Sequence, residues 1–184
     1  KYKNAYIQAS KIYKRGVQYK IQGMLPNKAY IKKSSYDINI FDVNDNELTQ
    51  ILIKYKTYFF IIDKSVLNKW KFLNKFKNKI IIHCSENTKN FETVSKIIQH
   101  HKNNKKWLII GGGVLIDISA FAASLVQSSI IIVPTTLLAM IDVCVGGKTG
   151  INFYEYGKNQ IGSFYFPDKV LIFKNWLKTL NKEQ

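Results

Sequence analysis

From residue 36 onward the apolar positions follow two periods, and together they predict a layered fold. Residues 36–41 alternate apolar and polar side chains, the period of a short strand. Residues 46–54 place Leu48, Ile51 and Leu52 on one helical face, with Asn44 or Asp45 as the cap. Residues 58–62, 80–82 and 107–110 are solid apolar runs, the mark of strands covered on both faces. Between them Val66, Leu67, Trp70, Leu73 and Phe76 recur at helical spacing, as do Val94, Ile97, Ile98 and His101. A further apolar run at 130–133 ends in Pro134. Alternating strands and helices with continuous apolar strands predict an α/β fold, a Rossmann-like parallel sheet with helices on both faces. Ligands of such sheets sit at the carboxyl ends of the strands. Asp63 and residues 84–89, 111–117 and 134–142 are therefore predicted to share one edge.

The stretch 111–162 combines glycine turns, a buried strand and isolated charges as no other region does. Gly111, Gly112 and Gly113 follow an apolar strand and precede a helix, so the backbone can approach a ligand closely. Free N–H groups at the positive end of that helix would face an anion, most simply a pyrophosphate; a tight turn with glycines for packing is the alternative. Asp117 can orient those amides, accept from a ribose or nicotinamide group, or serve only the helix dipole. Glu86 and Lys89 offer a carboxylate to ribose hydroxyls and an ammonium to phosphate, or form a solvated loop pair. Thr135 and Thr136 present hydroxyls to a ligand, cap the next helix, or do both. Asp142 and Lys148, followed by Gly157, Lys158 and Asn159, form a second polar cluster in apolar sequence. Lysines beside glycine turns suit phosphate and carboxylate as point charges, surface-turn lysines being the plainer reading. His83, His100 and His101 show no metal-ligand spacing.

Composition narrows the classes. The 184 residues, 46% hydrophobic and 14% aromatic, suffice for one good core. A net charge of +16 invites a nucleic-acid or membrane-surface role. The basic residues are nearly all Lys, with Arg15 the single Arg, and they are scattered rather than gathered in a patch, so no nucleic-acid partner is expected. Residues 118–141 carry no charge and are long enough to span a bilayer. Gln127, Ser128, Ser129, Pro134, Thr135 and Thr136 interrupt them, so a helix, a strand and a second helix are predicted and no membrane span. Cys84 and Cys144 form no CxxC, signalling neither a zinc site nor a disulfide framework, and the expected compartment is the reducing cytoplasm. Residues 1–36 hold nine Lys or Arg and no acidic residue: the end of a targeting segment, which would mean an organelle, or a linker, or a solvated extension.

Gly111-Gly112-Gly113-Val114 with Asp117, Val133-Pro134-Thr135-Thr136-Leu137-Leu138-Ala139, Asp142, Val145-Gly146-Gly147-Lys148-Thr149, and Gly157-Lys158-Asn159 with Ile161-Gly162 resemble, in order and spacing, the 3-dehydroquinate synthases. The resemblance makes residues 36–184 an NAD-binding domain and leaves 1–35 as a basic N-terminal extension. It implies conversion of 3-deoxy-D-arabino-heptulosonate 7-phosphate to 3-dehydroquinate with loss of phosphate, in the shikimate pathway of aromatic amino acid biosynthesis. NAD would oxidise a ring alcohol and later return the hydride. By this resemblance Asp63, Glu86, Lys89, Gly112, Gly113, Val114, Asp117, Thr135, Thr136, Leu138, Thr179 and Leu180 match NAD-contacting positions. Asp142, Lys148, Lys158 and Asn159 match substrate-facing catalytic positions, and Asp142, Lys148 and Lys158 also border the cofactor.

The sequence departs from the family pattern in particular places. Gln127-Ser128 stand where an Arg-Gly pair is usual, Val143 and Cys144 replace two serines, the loop before Gly157 is one residue longer, and Asn181 replaces a proline. The resemblance also implies zinc or cobalt, held by a Glu and two His of a helical carboxyl-terminal domain, and those ligands are absent from this sequence. The expectation is therefore an incomplete enzyme, inactive as an isolated chain and homodimeric when whole. The alternatives are another sugar-phosphate cyclase, an iron- or zinc-dependent alcohol dehydrogenase of the same wider fold, or a non-catalytic NAD-binding remnant.

Overall fold

The computed structural model describes residues 18–21, 36–101, 104–153 and 156–180, the first of these by backbone alone. In chain order the strands are β1 (Gln18–Ile21), β2 (Asp37–Phe41), β3 (Phe59–Asp63), β4 (Lys79–Ile82), β5 (Lys106–Gly111), β6 (Ser129–Pro134), β7 (Lys148–Ile151), β8 (Ile161–Phe164) and β9 (Lys169–Phe173). The helices are α1 (Asp45–Ile53), α2 (Lys64–Lys69), α3 (Phe91–His100) and α4 (Gly113–Val126). Six strands make one sheet in the order β2-β9-β6-β5-β3-β4, with every pairing parallel. The α/β architecture inferred from the apolar runs is thus the observed one. Its register sets Asp63 opposite Ile82 and Gly111 opposite Pro134, so the carboxyl ends of β3, β4, β5 and β6 form one edge.

Strand pleating divides the core into two layers. Phe59, Ile61, Trp107, Ile109, Ile130 and Ile132 face α3 and α4, where Val94, Ile97 and Phe121 meet them. Phe60, Ile62, Leu108, Ile110, Ile131 and Val133 face the other way, onto Leu48, Leu52, Trp70 and Trp176. β3 is buried along its whole length, as its uninterrupted apolar run requires. α1 begins on a capping box: Asn44 accepts from the Glu47 amide and Glu47 from the Asn44 amide.

α4 is buried nearly all round because it is covered twice, by the large sheet and by a second sheet of order β1-β8-β7. The second sheet is antiparallel, with Gly150 opposite Gly162. A buried chain of hydroxyls ties it to α4: Thr149 Oγ1 lies 2.9 Å from Ser163 Oγ, which donates to Ser124 Oγ at 3.1 Å.

Several expectations are corrected. The helical pattern over 66–76 is split: α2 stops at Trp70, whose backbone (φ −116°, ψ 73°) is non-helical, and a 3-10 turn follows at Lys71–Lys75. The break seats the Trp70 ring edge-on against Trp176, at 4.8 Å. β4 is an edge strand rather than one covered on both faces, and its Ile81 is exposed. The second helix expected after β6 is a single wide turn, Ala139–Val143, in which the Cys144 amide reaches back five residues to the Ala139 carbonyl at 3.1 Å. β1 falls inside the stretch read as an extension outside the domain, yet it pairs with β8. Among the described residues no helix is long and apolar enough to cross a membrane.

Candidate functional site

At the carboxyl edge, β5 runs through Gly111 into Gly112, which is the N-cap of α4 and offers no side chain to its first amides. None of these glycines has a left-handed backbone; what their small size gives is close packing. A Cβ on Gly111 would lie 2.6 Å from Leu115 Cδ2, and one on Gly112 would lie 3.2 Å from Thr136 Cγ2. The turn thus keeps the helix N-terminus close to the end of β6 and leaves its N–H groups for a ligand. Thr136 caps the following turn, its hydroxyl accepting from the Ala139 amide at 3.3 Å. Thr135 is buried and donates its amide to the Gly111 carbonyl at 3.0 Å. Val114 packs half-buried against the core, whereas Leu138 is exposed.

Beside this turn three segments meet on one ammonium. Lys89 Nζ lies 2.6 Å from Asp117 Oδ2 on α4 and donates to Asn159 Oδ1, also at 2.6 Å. Lys89 is buried, with 6% of its surface exposed. Asn152 extends the network: its side-chain amide donates to the Glu86 carbonyl at 3.0 Å and to Glu86 Oε1 at 3.1 Å, and its Oδ1 accepts the Asn159 amide at 3.0 Å. Burial holds the Asp117 carboxyl above the usual carboxylate range; Lys89 pulls it down, while Glu86 and Asp142 push it further up. Those four side chains therefore share one electrostatic field.

Of the second polar cluster, Asn159 bonds Lys89, Asp142 acts on the Asp117 carboxyl, and Lys158 shares a cleft with Glu86. Asp142, Lys148 and Lys158 are exposed, and Asp142 sits in the wide turn, whose Val143 lies 3.3 Å from where a Gly113 Cβ would be. Gly147 (φ +63°) faces the Phe166 ring, and Gly157 (φ +107°) and Asn159 (φ 54°) are also left-handed, which fixes how the ribbon presents its two lysines. A cleft of about 440 Å³ opens between Glu86, Asn90, Phe91, Asn152, Phe153 and Lys158.

Other predicted positions have different local partners. Asp63 caps α2, accepting from the Ser65 amide and hydroxyl, each at 2.8 Å. It also faces Cys84, whose thiol is pushed up by burial first and by this carboxylate second. Thr179 and Leu180 close the 3-10 turn Lys174–Thr179; the Thr179 carbonyl accepts from Lys69 and its hydroxyl donates to Trp176 O at 3.0 Å. Asn152 was not among the predicted residues. Its signal was a polar side chain ending an apolar strand between Lys148 and Gly157. Among the described residues no group of three His, Cys, Asp or Glu is placed to hold a metal ion.

Comparison with known proteins joins this geometry to a family. The family described as 3-dehydroquinate synthase N-terminal matches residues 79–184, which include the Lys89 junction, the glycine turn and the ribbon. The chain belongs to the 3-dehydroquinate synthase family. Similar family members include the 3-dehydroquinate synthase of Buchnera aphidicola subsp. Cinara cedri, 37% identical over 174 residues, covering 84% of this chain and 47% of that protein. The Campylobacter concisus 3-dehydroquinate synthase is 39% identical over 165 residues, covering 83% and 46%. The chain thus spans about half the length of the curated relatives it matches. Among solved structures, 2-epi-5-epi-valiolone synthase from Streptomyces hygroscopicus subsp. jinggangensis, with NAD+ and Zn2+ bound, superposes with a TM-score of 0.71 at 28% identity, covering 84% of this chain and 47% of that one. 2-Deoxy-scyllo-inosose synthase shares the fold, with a TM-score of 0.64 at 21% identity over 79% of this chain and 44% of that one.

Proposed function

We propose that this chain is the NAD-binding half of a 3-dehydroquinate synthase, acting in conversion of 3-deoxy-D-arabino-heptulosonate 7-phosphate to 3-dehydroquinate. The observation that carries the reading is the uncapped start of α4, which packs close to Thr136 through a glycine whose Cβ would crowd the Thr136 methyl at 3.2 Å, and which is bordered by the Lys89–Asp117 pair. Open amides at a helix N-terminus with adjoining ionic groups suit a dinucleotide's pyrophosphate and ribose. NAD bound there supplies a hydride acceptor that later gives the hydride back.

In this reading the chain's own residues bind and orient. Gly112 and Gly113 amides take the pyrophosphate, Thr135, Thr136 and Val114 wall it, and Glu86 and Asp117 take ribose hydroxyls. Leu138, Asp63, Thr179 and Leu180 border the remainder of the cofactor. Lys148 and Lys158 hold the substrate's anionic groups as point charges, Asn159 donates to them, and Asp142 spans the boundary between the two ligands. The described residues do not fit a metal, so no step is routed through one. The family reading also carries a sugar-phosphate substrate and a homodimer. A second reading, another sugar-phosphate cyclase, is supported by the likeness to the 2-epi-5-epi-valiolone synthase.

Calorimetric titration of NAD into this polypeptide, with Gly112→Asp alongside, tests the reading. The wild-type chain is expected to bind NAD. The variant, with a carboxylate forced against Thr136 and facing the pyrophosphate, should lose roughly tenfold or more, the worth of a charge-assisted contact. A Gly112→Asp chain binding NAD as tightly as wild type overturns the cofactor placement.

A further inference from the structure

We infer that Lys89 is a positioning residue: it holds the Asn159 side chain with its carbonyl oxygen inward and its nitrogen outward, so that Asn159 meets an anionic ligand only as a hydrogen-bond donor. The inference rests on the reading of Asn159 as substrate-facing and adds the group that orients it and the chemistry that orientation imposes.

A lysine ammonium has three donors and no acceptor, so the atom 2.6 Å from Lys89 Nζ has to be the Asn159 oxygen, whatever the amide would otherwise choose. Rotating the amide by half a turn would set its NH2 against the ammonium, donor on donor, while taking one partner from a buried charge. The ammonium is itself held by Asp117 Oδ2 at 2.6 Å, so it cannot follow a rotated amide without leaving that carboxylate. The backbone of Asn159 is pinned separately. Its φ of 54° is one Asn tolerates well, and its N–H donates to Asn152 Oδ1 at 3.0 Å. Asn152 in turn is tied to the Lys89 loop, donating its own amide to the Lys89 carbonyl at 2.7 Å and its side chain to Glu86. Gly150 completes the seat, since a Cβ there would lie 3.1 Å from Asn159 Oδ1.

An amide locked in this sense discriminates. It favours an acceptor such as a phosphate or carboxylate oxygen and offers nothing to a hydroxyl proton. Because the same ammonium serves Asp117 in the first turns of α4, the loop, the helix and the ribbon share one anchor, and the donor's aim depends on all three.

The test uses this chain with NAD and inorganic phosphate as probes, each followed by titration calorimetry. Asn159→Asp keeps an oxygen for Lys89 but turns the outward atom from donor into acceptor. Phosphate affinity should fall roughly tenfold or more, the worth of a hydrogen bond to a charged group, while NAD affinity stays within about twofold. Gly150→Ala, whose Cβ would crowd Asn159 Oδ1 at 3.1 Å, should likewise weaken phosphate and spare NAD. Lys89→Met should move the Asn159 side-chain amide signals in a 15N-correlated NMR spectrum whose backbone signals remain dispersed. Phosphate binding unchanged in Asn159→Asp overturns the donor assignment, and amide signals unmoved by Lys89→Met overturn the role of Lys89. A wild-type chain that binds neither probe overturns the functional reading on which the inference stands. One that binds NAD but not phosphate overturns the inference alone.

Discussion

A buried ammonium survives only with partners, and Lys89 has two: the carboxylate of Asp117 and the amide oxygen of Asn159. Burial lifts the pKa of that carboxyl while Lys89 opposes the rise. The sign of the consequence follows. A carboxyl whose folded pKa is raised contributes stability that is complete below its unfolded value, near 4, and is lost as pH climbs through the raised folded value. Carbon-13 NMR of the Asp117 carboxyl should find its midpoint above the ordinary range. In Lys89→Met, with the opposing charge removed, the midpoint should rise further; a midpoint that stays or falls would mean the pair is not formed in solution. The residue types at this site were legible from the sequence, but not their partners. Glu86 and Lys89 read as one loop feature and Asp117 as a separate one beyond the glycine turn, and only the parallel register of β3, β4 and β5 brings that loop and the start of α4 to one edge. Asn152, which joins the Glu86 loop to Asn159, has no local pattern to mark it beyond its place at the end of an apolar strand.

The elements show where periodicity suffices and where tertiary packing decides. Continuous apolar runs identified β3, β5 and β6 because burial on both faces leaves no other composition, and Gly111 marked the turn into α4. The same rule misread β4, where a short Ile run at a sheet edge keeps one face in water. The 66–76 helix was misjudged for a different reason: its spacing is helical, but seating Trp70 against Trp176 outweighs one continuous ladder. The β7–β8 ribbon is the element that carries Lys148 and flanks Asn159, and it depends on one glycine. A Cβ on Gly162 would lie 2.1 Å from the Thr149 carbonyl oxygen, across the antiparallel pairing. Gly162→Ala must push the two backbones apart. The expected loss in urea denaturation is at or beyond the upper end of the ~1–3 kcal/mol typical of overpacking. Gly146→Ala, where the nearest atom would be 3.9 Å away, serves as the mild control. If Gly162→Ala is as stable as wild type, the ribbon pairs in another register.

For the whole molecule the open question is what a net charge of +16 does. Exposed lysines are spread over many elements, among them Lys54 and Lys56 after α1, Lys69 and Lys71 at the end of α2, Lys105 and Lys106 at β5, and Lys169 and Lys174 around β9. Charge so dispersed raises the potential everywhere without forming a track for a phosphate backbone. At the candidate site the arithmetic is smaller still. Lys89 is paired with Asp117, the open amides of α4 are uncharged, and in the second polar cluster Lys148 and Lys158 are the exposed lysines among the described residues. Ligand contacts made through amides release few counterions, so NAD affinity should fall by no more than about fourfold between roughly 50 and 200 mM salt, as for a single released ion. A protein gripping duplex DNA through six to ten phosphates would lose about a thousandfold or more over the same range. Parallel titrations of NAD and a random duplex across that salt series separate the two. A shallow slope for NAD, with weak and steeply salt-dependent duplex binding, assigns the charge to the general surface. A steep slope for NAD would mean that the cofactor is held by lysines rather than by the start of α4, and the glycine turn would then be packing alone.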